Sequence, residues 1–455
     1  MKLGVVILAA GQGTRMKSAL PKVLHPLAGR PLLGHVIDAA RGLQAERIAV
    51  VYGHGGSRVP EAFADAPVQW VEQAQQLGTG HAVEQALPAV AGMERVLVLY
   101  GDVPLTSRET LESLLRAAEQ SPLALLTVEL DDPAGYGRIV RDDDGRIVRI
   151  VEHRDATPAE LAIAEINTGI LVADGPSLER WIARLENGNA QGEFYLTDIV
   201  AMAVAEGAGV TSAPAADPHE VAGVNDRVQL AGLERWYQGQ QARRLMRDGV
   251  TLRDPARFDL RGTLATGRDV EIDVNVVIAG DVTLGDRVRI GANTVIRDSR
   301  IGDDVQILEN CVIEEAVVGE ASRIGPFSRL RPETVLAGRV HVGNFVEIKK
   351  SEVAEGSKIN HLSYIGDTSI GRSVNIGAGT ITCNYDGAFK HRTVIGDDAF
   401  IGSDTQLVAP VKVGAGATIG AGSTITRDTP DGGLTLSRAK QTSIPGWQRP
   451  TKEKK

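Results

Sequence analysis

The sequence predicts an α/β domain built on a mostly parallel sheet, followed by a parallel β-helix of hexapeptide repeats. Three observations lead there. Apolar, β-branched runs alternate with helical stretches up to about Asp226. A six-residue aliphatic step takes over from about Thr251. A glycine-rich loop follows the first apolar run, which is where an open parallel sheet binds its ligands.

The strands of the first part are "GVVILAA" (4–10), "RIAVVYG" (47–53), "RVLVLYGDVPL" (95–105) and "LALLTVEL" (123–130). Helical stretches such as "PLLGHVIDAARGL" (31–43) and "TLESLLRAAEQ" (110–120) separate them. Continuous apolar strands between helices imply a sheet covered on both faces. The loop "GQGTRM" (11–16) sits after the first strand. A dinucleotide fingerprint would need a third glycine where Met16 stands, and a Walker loop needs a Gly-Lys pair, which the chain lacks. It is therefore an anion loop of another class. "YGDVP" (100–104) ends another strand, so Asp102 should reach the same cleft.

In the second part, Leu284, Ile290 and Ile296 are six apart, as are Ile301, Ile307 and Ile313. Ile324, Leu330, Leu336, Val342 and Ile348 continue the step, and Ile395, Ile401, Leu407, Val413, Ile419 and Ile425 close it. One aliphatic per six residues points inward, and the small residue after it permits the corner. The repeat breaks at "CNYDGAFKHR" (383–392), a loop on one face of the coil and a candidate binding element. The stretch 226–249 between the parts reads as helical. The expected organisation is 1–226, a helical linker at 227–250, and 251–455.

Composition limits the partners. A net charge of -9 argues against nucleic acid. No run of about twenty apolar residues exists, so no membrane span is expected. The apolar run at 3–10 leads straight into the glycine loop, which suits a first strand better than a signal peptide. Cys311 and Cys383 fit a reducing compartment and cannot build a zinc cluster alone. The expected location is cytoplasmic.

The motifs carry a resemblance. "LAAGQGTRM" with "LPKVL" (8–24), "EQAQQLGTGHAV" (72–83), "YGDVPL" (100–105), "GYGRIVR" (135–141), "EINTGI" (165–170) and "GVND" (223–226) are similar to sugar-1-phosphate nucleotidyltransferases. "GPFSRLRP" (325–332), "VGNFVEIKKS" (342–351), "NHLSYIGD" (360–367) and "NIGAGTITCNYDG" (375–387) narrow the match. Together they resemble the family of bifunctional N-acetylglucosamine-1-phosphate uridyltransferases/glucosamine-1-phosphate acetyltransferases, in the expected order over nearly the whole chain. Gln12 departs from the family, where lysine is common.

The resemblance implies a Rossmann-like nucleotidyltransferase domain and a left-handed β-helix. It also implies a homotrimer with acetyltransferase sites between neighbouring subunits. In the first half, one phosphate compound attacks another, so catalysis must supply positive charge and in-line positioning. Arg15 and Lys22 would supply cations, and the loop at Gly11 and Gly13 would offer backbone N–H groups. Asp102 and Asn225 would hold Mg²⁺, a hard cation that keeps few protein oxygens. Leu8, Ala9, Ala10, Gly11, Lys22 and Gly101 would line the UDP-N-acetylglucosamine site. Gln73, Gly78 and Thr79 would read the uracil of UTP; Tyr100, Gly137, Glu152 and Asn167 would line the sugar pocket. For Gly137 a plain turn explains the residue nearly as well.

In the second half, acetyl transfer to an amine needs a base and a held thioester. His361 in "NHLSY" would be the base, with His341 and His391 as competitors outside that motif. Arg331, Lys349, Tyr364 and Asn375 would hold the sugar phosphate; Ala378, Asn384, Tyr385, Ser403, Ala421 and Arg438 would hold acetyl-CoA. Cys383 is read as a bystander rather than an acyl nucleophile, because no base stands beside it in sequence. Two other readings stay open at this point. The β-helix could merely assemble subunits or sense an effector, or the whole chain could be a non-catalytic regulator. The cluster of Arg331, Lys349, His361, Tyr364 and Asn384 speaks against the first, and the loop 11–22 with Asp102 against the second.

Overall fold

The computed structural model describes residues 1–53, 55–189 and 191–452. The last three positions of the expected 251–455 part lie outside the described residues. The chain divides into two compact units between Tyr237 and Gln238.

The first unit is built on a nine-stranded sheet. Its main path runs Val210–Pro214, Leu123–Glu129, Glu165–Asp174, Arg95–Tyr100, Leu3–Leu8, Arg47–Tyr52, Gln69–Glu72. Leu3–Leu8 is buried throughout and pairs in parallel with Arg47–Tyr52 on one side and Arg95–Tyr100 on the other. Successive residues of this strand face opposite layers. Val5 and Ile7 join Leu33, Val36 and Leu111, while Val6 and Leu8 join Ala82, Val83 and Trp181. That double coverage is why the strand reads as a continuous apolar run. Glu165–Asp174 is antiparallel to both neighbours, a reversal absent from the sequence reading. A hairpin, Arg138–Arg141 with Ile147–Val151, precedes it and turns the chain round.

The third expected strand is shorter than its apolar run. It ends at Tyr100, and the following residues leave the sheet at its carboxyl edge. The Gly101 amide donates to the Leu8 carbonyl at 2.8 Å, and the Val224 amide donates to the Asp102 carbonyl at 2.9 Å. Two main-chain bonds therefore fix Asp102 beside the end of the first strand and beside the 223–226 segment.

The second unit is a parallel β-helix whose strands form an 11-stranded and a 17-stranded sheet. Every aliphatic in the six-residue series is buried, at most 3% exposed. Between blocks the step shortens to five, from Ile296 to Ile301 and from Ile348 to Val353. From Phe258 to the repeat break, successive coils are accordingly offset by 17 or 18 residues, as in Val295 pairing with Val312 and Arg323 with His341. Corners fall on left-handed residues, many of them Asn or Asp such as Asn275, Asn293, Asp304 and Asn310. Those short polar side chains tolerate that conformation best after glycine.

The helix Arg227–Arg247 contributes to each unit's core separately. Leu233 packs with Met16, Leu27 and Leu32 of the first unit. Ala242 and Leu245 join the aliphatic column of the second. The Gln238 side chain donates to the Leu260 carbonyl at 2.9 Å and accepts from its amide at 2.8 Å, pairing a buried backbone position at the start of the coil. No helix among the described residues is long and apolar enough to cross a membrane.

Candidate functional site

A cleft of about 480 Å³ opens at the carboxyl edge of the first unit's sheet. Leu8, Ala9, Ala10, Gly11, Lys22, Gln73, Gly78, Thr79, Tyr100 and Asp102 all line it. Gly101 is buried beneath. Arg15 lies on the same loop, exposed and outside the lining. The two loop glycines differ in kind. A Cβ on Gly11 would meet nothing within 4 Å, so this position simply leaves the cleft open to a ligand. Gly13 has φ of 61°, and a Cβ there would lie 2.7 Å from the Lys22 Cβ. Its glycine permits the left-handed turn that lets Lys22 close over the loop. Gly13→Ala should therefore lower turnover at this cleft about tenfold or more by displacing Lys22. A rate assay of the variant checks this; an unchanged rate would mean the loop relaxes around the methyl.

Lys22 is the centre of the cleft's electrostatics. Its ammonium donates to Asp102 Oδ2 and, at 3.3 Å, to Asn225 Oδ1. The Asp102–Lys22 pair is largely buried. A carboxylate and an amide carbonyl thus converge on one point, and a cationic group occupies it. Two hard oxygen donors beside a glycine-rich loop suit Mg²⁺, which takes its remaining ligands from water and phosphate. The donor set fits the ion, with the ammonium as its stand-in.

The 73–79 segment is clipped in place from outside. Gln73, 3% exposed, donates to the Gly78 carbonyl at 3.1 Å and bonds His81 Nδ1 at 3.0 Å. Gly78 has φ of 110°, and a Cβ there would lie 2.6 Å from the Phe194 carbonyl. Phe194 pairs with Leu77 and Gly80 through the main chain, and the Leu196 amide donates to Thr79 Oγ1. Gly137, Glu152 and Asn167 lie outside the residues lining the cleft, and the Gly137 carbonyl accepts from the Asn167 amide at 2.9 Å. A Cβ on Gly137 would lie 3.4 Å from Glu152 Oε1. Burial, then Asp155 and Asp198, pushes the Glu152 carboxyl up. Burial, with Asp102 and Glu152, pushes the Tyr100 phenol up, so it stays a neutral hydrogen-bond donor.

In the second unit, His361 and Asn344 pair across adjacent strands, and His361 Nδ1 lies 2.8 Å from Asn344 Oδ1. They line a cavity of about 330 Å³ with Arg323, His341 and Asn360. His341 is held below its usual range by burial, then by Arg323 and Lys358. His391 is engaged elsewhere, 2.6 Å from Asp386 Oδ2. The cationic residues gather past the corner. Arg331 pairs with Glu347 at 2.8 Å. The Lys390 side chain, burial and Arg331 hold the Lys349 amine down. Tyr364 OH and Asn384 Nδ2 both approach Gly366, where a Cβ would meet them at 2.5 and 2.7 Å.

The repeat break is a small hairpin in which Tyr385 pairs with Lys390. Burial pushes the Cys383 thiol up, which disfavours a thiolate nucleophile. Ala378, Ser403, Ala421 and Arg438 stack along successive coils. The Asp404 amide donates to the Ala378 carbonyl, Gly422 to Ser403, and the Arg438 guanidinium to Ala421 at 2.8 Å. Asn375 continues the strand column below Lys358. Lys390 lines a cavity of about 450 Å³ with Lys350, Asp367 and Arg392, apart from the one that His361 lines.

Three family matches cover these parts. The MobA-like NTP transferase domain matches residues 5–252, the GMPPB C-terminal domain 260–344, and the bacterial transferase hexapeptide (six repeats) 392–427. The "Bifunctional protein GlmU" of Methylococcus capsulatus is 63% identical over 100% of this chain and 99% of its own length. Those of Ralstonia nicotianae and Nitrosospira multiformis are 61% and 60% identical, covering 100% of this chain and 100% and 99% of their own. The chain belongs to the GlmU family.

For a GlmU-family chain, several contacts were not foreseen from sequence. Gln76 and Glu193 line the cleft, and Gln12 donates to Gln76 Oε1 at 3.2 Å. His81 orients Gln73 from within the quoted "GTGHAV" stretch. Asn344 stands in "VGNFVEI" and Lys390 in "CNYDGAFKHR", yet neither position advertises a partner from another coil. The 17- and 18-residue offsets, once counted, bring Asn344 beside His361.

Proposed function

We propose that the protein makes UDP-N-acetylglucosamine in two steps. The acetyl group of acetyl-CoA passes to the amine of glucosamine-1-phosphate, and the uridylyl group of UTP then passes to N-acetylglucosamine-1-phosphate with release of pyrophosphate. The observation that carries this reading is the end-to-end identity with relatives named bifunctional, which spans both units.

In uridylyl transfer, Arg15 and Lys22 offset the charge of the triphosphate, and the open backbone at Gly11 admits its oxygens. Gln73, Gly78 and Thr79 hold the uracil in the cleft, while Tyr100, Gly137, Glu152 and Asn167 hold the sugar so that its phosphate oxygen attacks the α-phosphorus of UTP in line and pyrophosphate leaves. Asp102 and Asn225 would hold Mg²⁺, which supplies charge neutralisation on the phosphates.

In acetyl transfer, His361 takes a proton from the sugar amine as it attacks the thioester carbonyl. The C–N bond forms, the C–S bond breaks, and the thiolate of CoA leaves and is protonated. Arg331, Lys349, Tyr364 and Asn375 hold the sugar phosphate, and Lys390 adds a further cation beside Lys349. Asn384, Tyr385 and the stacked Ala378, Ser403, Ala421 and Arg438 hold acetyl-CoA. A homotrimer belongs to this reading, because a neighbouring chain would bring a second wall to the open cavity that His361 lines. So does a cytoplasmic location, in keeping with two free cysteines.

The test is an incubation with glucosamine-1-phosphate, acetyl-CoA, UTP and Mg²⁺, with products separated by mass. UDP-N-acetylglucosamine should form, and omission of acetyl-CoA should stop it. Product formed only from pre-acetylated sugar phosphate would reduce the β-helix to a scaffold.

A further inference from the structure

We propose that Asn344 is the positioning residue of the acetyl-transfer base: its amide oxygen fixes the tautomer and the ring orientation of His361. This rests on the reading of His361 as that base. Within one chain His361 is exposed, so packing against its own coils does not hold its ring. The hydrogen bond of 2.8 Å from its Nδ1 to Asn344 Oδ1 does. An amide oxygen only accepts, so Nδ1 carries the proton and Nε2 is left with a lone pair turned away from Asn344. With the amide reversed, Asn344 would donate to Nδ1 and the proton would sit on Nε2, where it would block general-base catalysis.

The contact is built into the backbone. Asn344 and His361 are register partners on neighbouring parallel strands. The Leu362 amide also donates to the Asn344 carbonyl at 3.2 Å. Both chains then turn sharply at left-handed residues, Phe345 with φ of 56° and Leu362 with φ of 50°. Main chain and side chain of Asn344 therefore both reach the 361–362 segment, and the ring cannot swing without breaking the bond.

The neutrality of Asn344 has a chemical purpose. His341 and Arg323 belong to neighbouring coils and Lys358 to the strand of His361 itself. A carboxylate at 344 would stabilise the imidazolium and keep the base protonated to higher pH. An amide gives orientation without that penalty.

The experiment compares full-length wild type, Asn344→Leu and Asn344→Asp. Acetyl-transfer kcat and KM are measured against pH. The tautomer of His361 is read by long-range ¹⁵N–¹H NMR on histidine-labelled protein, with the signal assigned by His361→Gln. Asn344→Leu should lower kcat about 10–100-fold with little change in KM for acetyl-CoA, the range seen when a partner orienting a histidine is removed. The acid limb of its pH profile should move down. Asn344→Asp should recover much of kcat at high pH, with the limb moved up, because a nearby carboxylate raises the imidazole pKa and the base is lost as pH falls through it. The neutral ring should carry its proton on Nδ1 in wild type and on Nε2 in Asn344→Leu. Unchanged uridylyl transfer reports that each variant is folded.

A wild-type ring protonated on Nε2, or an Asn344→Leu enzyme with unaltered kcat and acid limb, would overturn the proposal. Full acetyl transfer by His361→Ala would instead overturn the role of His361, while the NMR result would still decide whether Asn344 sets its tautomer.

Discussion

Asp102→Asn should abolish uridylyl transfer, by at least about 10³-fold, and leave acetyl transfer intact. The substitution keeps the shape of the side chain and removes one charge. The main-chain bond from Val224 to the Asp102 carbonyl does not depend on that charge, so the turn that carries Asn225 stays in place. The Lys22 ammonium loses its only carboxylate among the described partners. The position where a carboxylate and an amide carbonyl converge becomes a pair of neutral amides, a poor match for a hard divalent cation. Rates of UDP-N-acetylglucosamine formation from pre-acetylated sugar phosphate, and of acetylation by thiol release, measure the two effects separately. Loss of both activities in a folded variant would contradict two independent sites.

The mirror experiment is His361→Ala. Acetyl transfer should fall about 10²–10⁴-fold, the usual contribution of a positioned general base. Uridylyl transfer from pre-acetylated substrate should be unaffected. The two competing histidines are poor replacements. His391 is bound to Asp386 within the hairpin, and His341 is displaced from its ordinary pKa by burial and neighbouring cations. Cys383 offers no covalent bypass, since burial favours its protonated thiol. A His361→Ala enzyme with more than a tenth of wild-type acetylation would mean that the amine loses its proton to water or to another group.

Much was legible in the chain itself, for definite reasons. The strand Leu3–Leu8 shows as an apolar run because helices cover both of its faces. The aliphatic series from Leu284 to Ile425 shows because one inward residue per six is the repeat of the coil, and every member is buried. Local chemistry also marked the glycine loop and Asp102, whose spacing after their strands places them at one edge of the sheet.

What the chain could not reveal are relations between residues far apart in sequence. The antiparallel strand Glu165–Asp174 depends on partners on both sides, which no local pattern names. Gly13 looks like a phosphate-loop glycine, but its need is set by Lys22 nine positions later folding back over it. The Lys22–Asp102–Asn225 convergence joins three segments across the cleft, and the His361–Asn344 bond joins two coils. Composition and periodicity follow from burial, which each residue reports on its own, so the sequence alone determined the two architectures and the edge where the glycine loop sits. Protonation, tautomer and cation placement follow from distances between groups, and only the tertiary structure decides those.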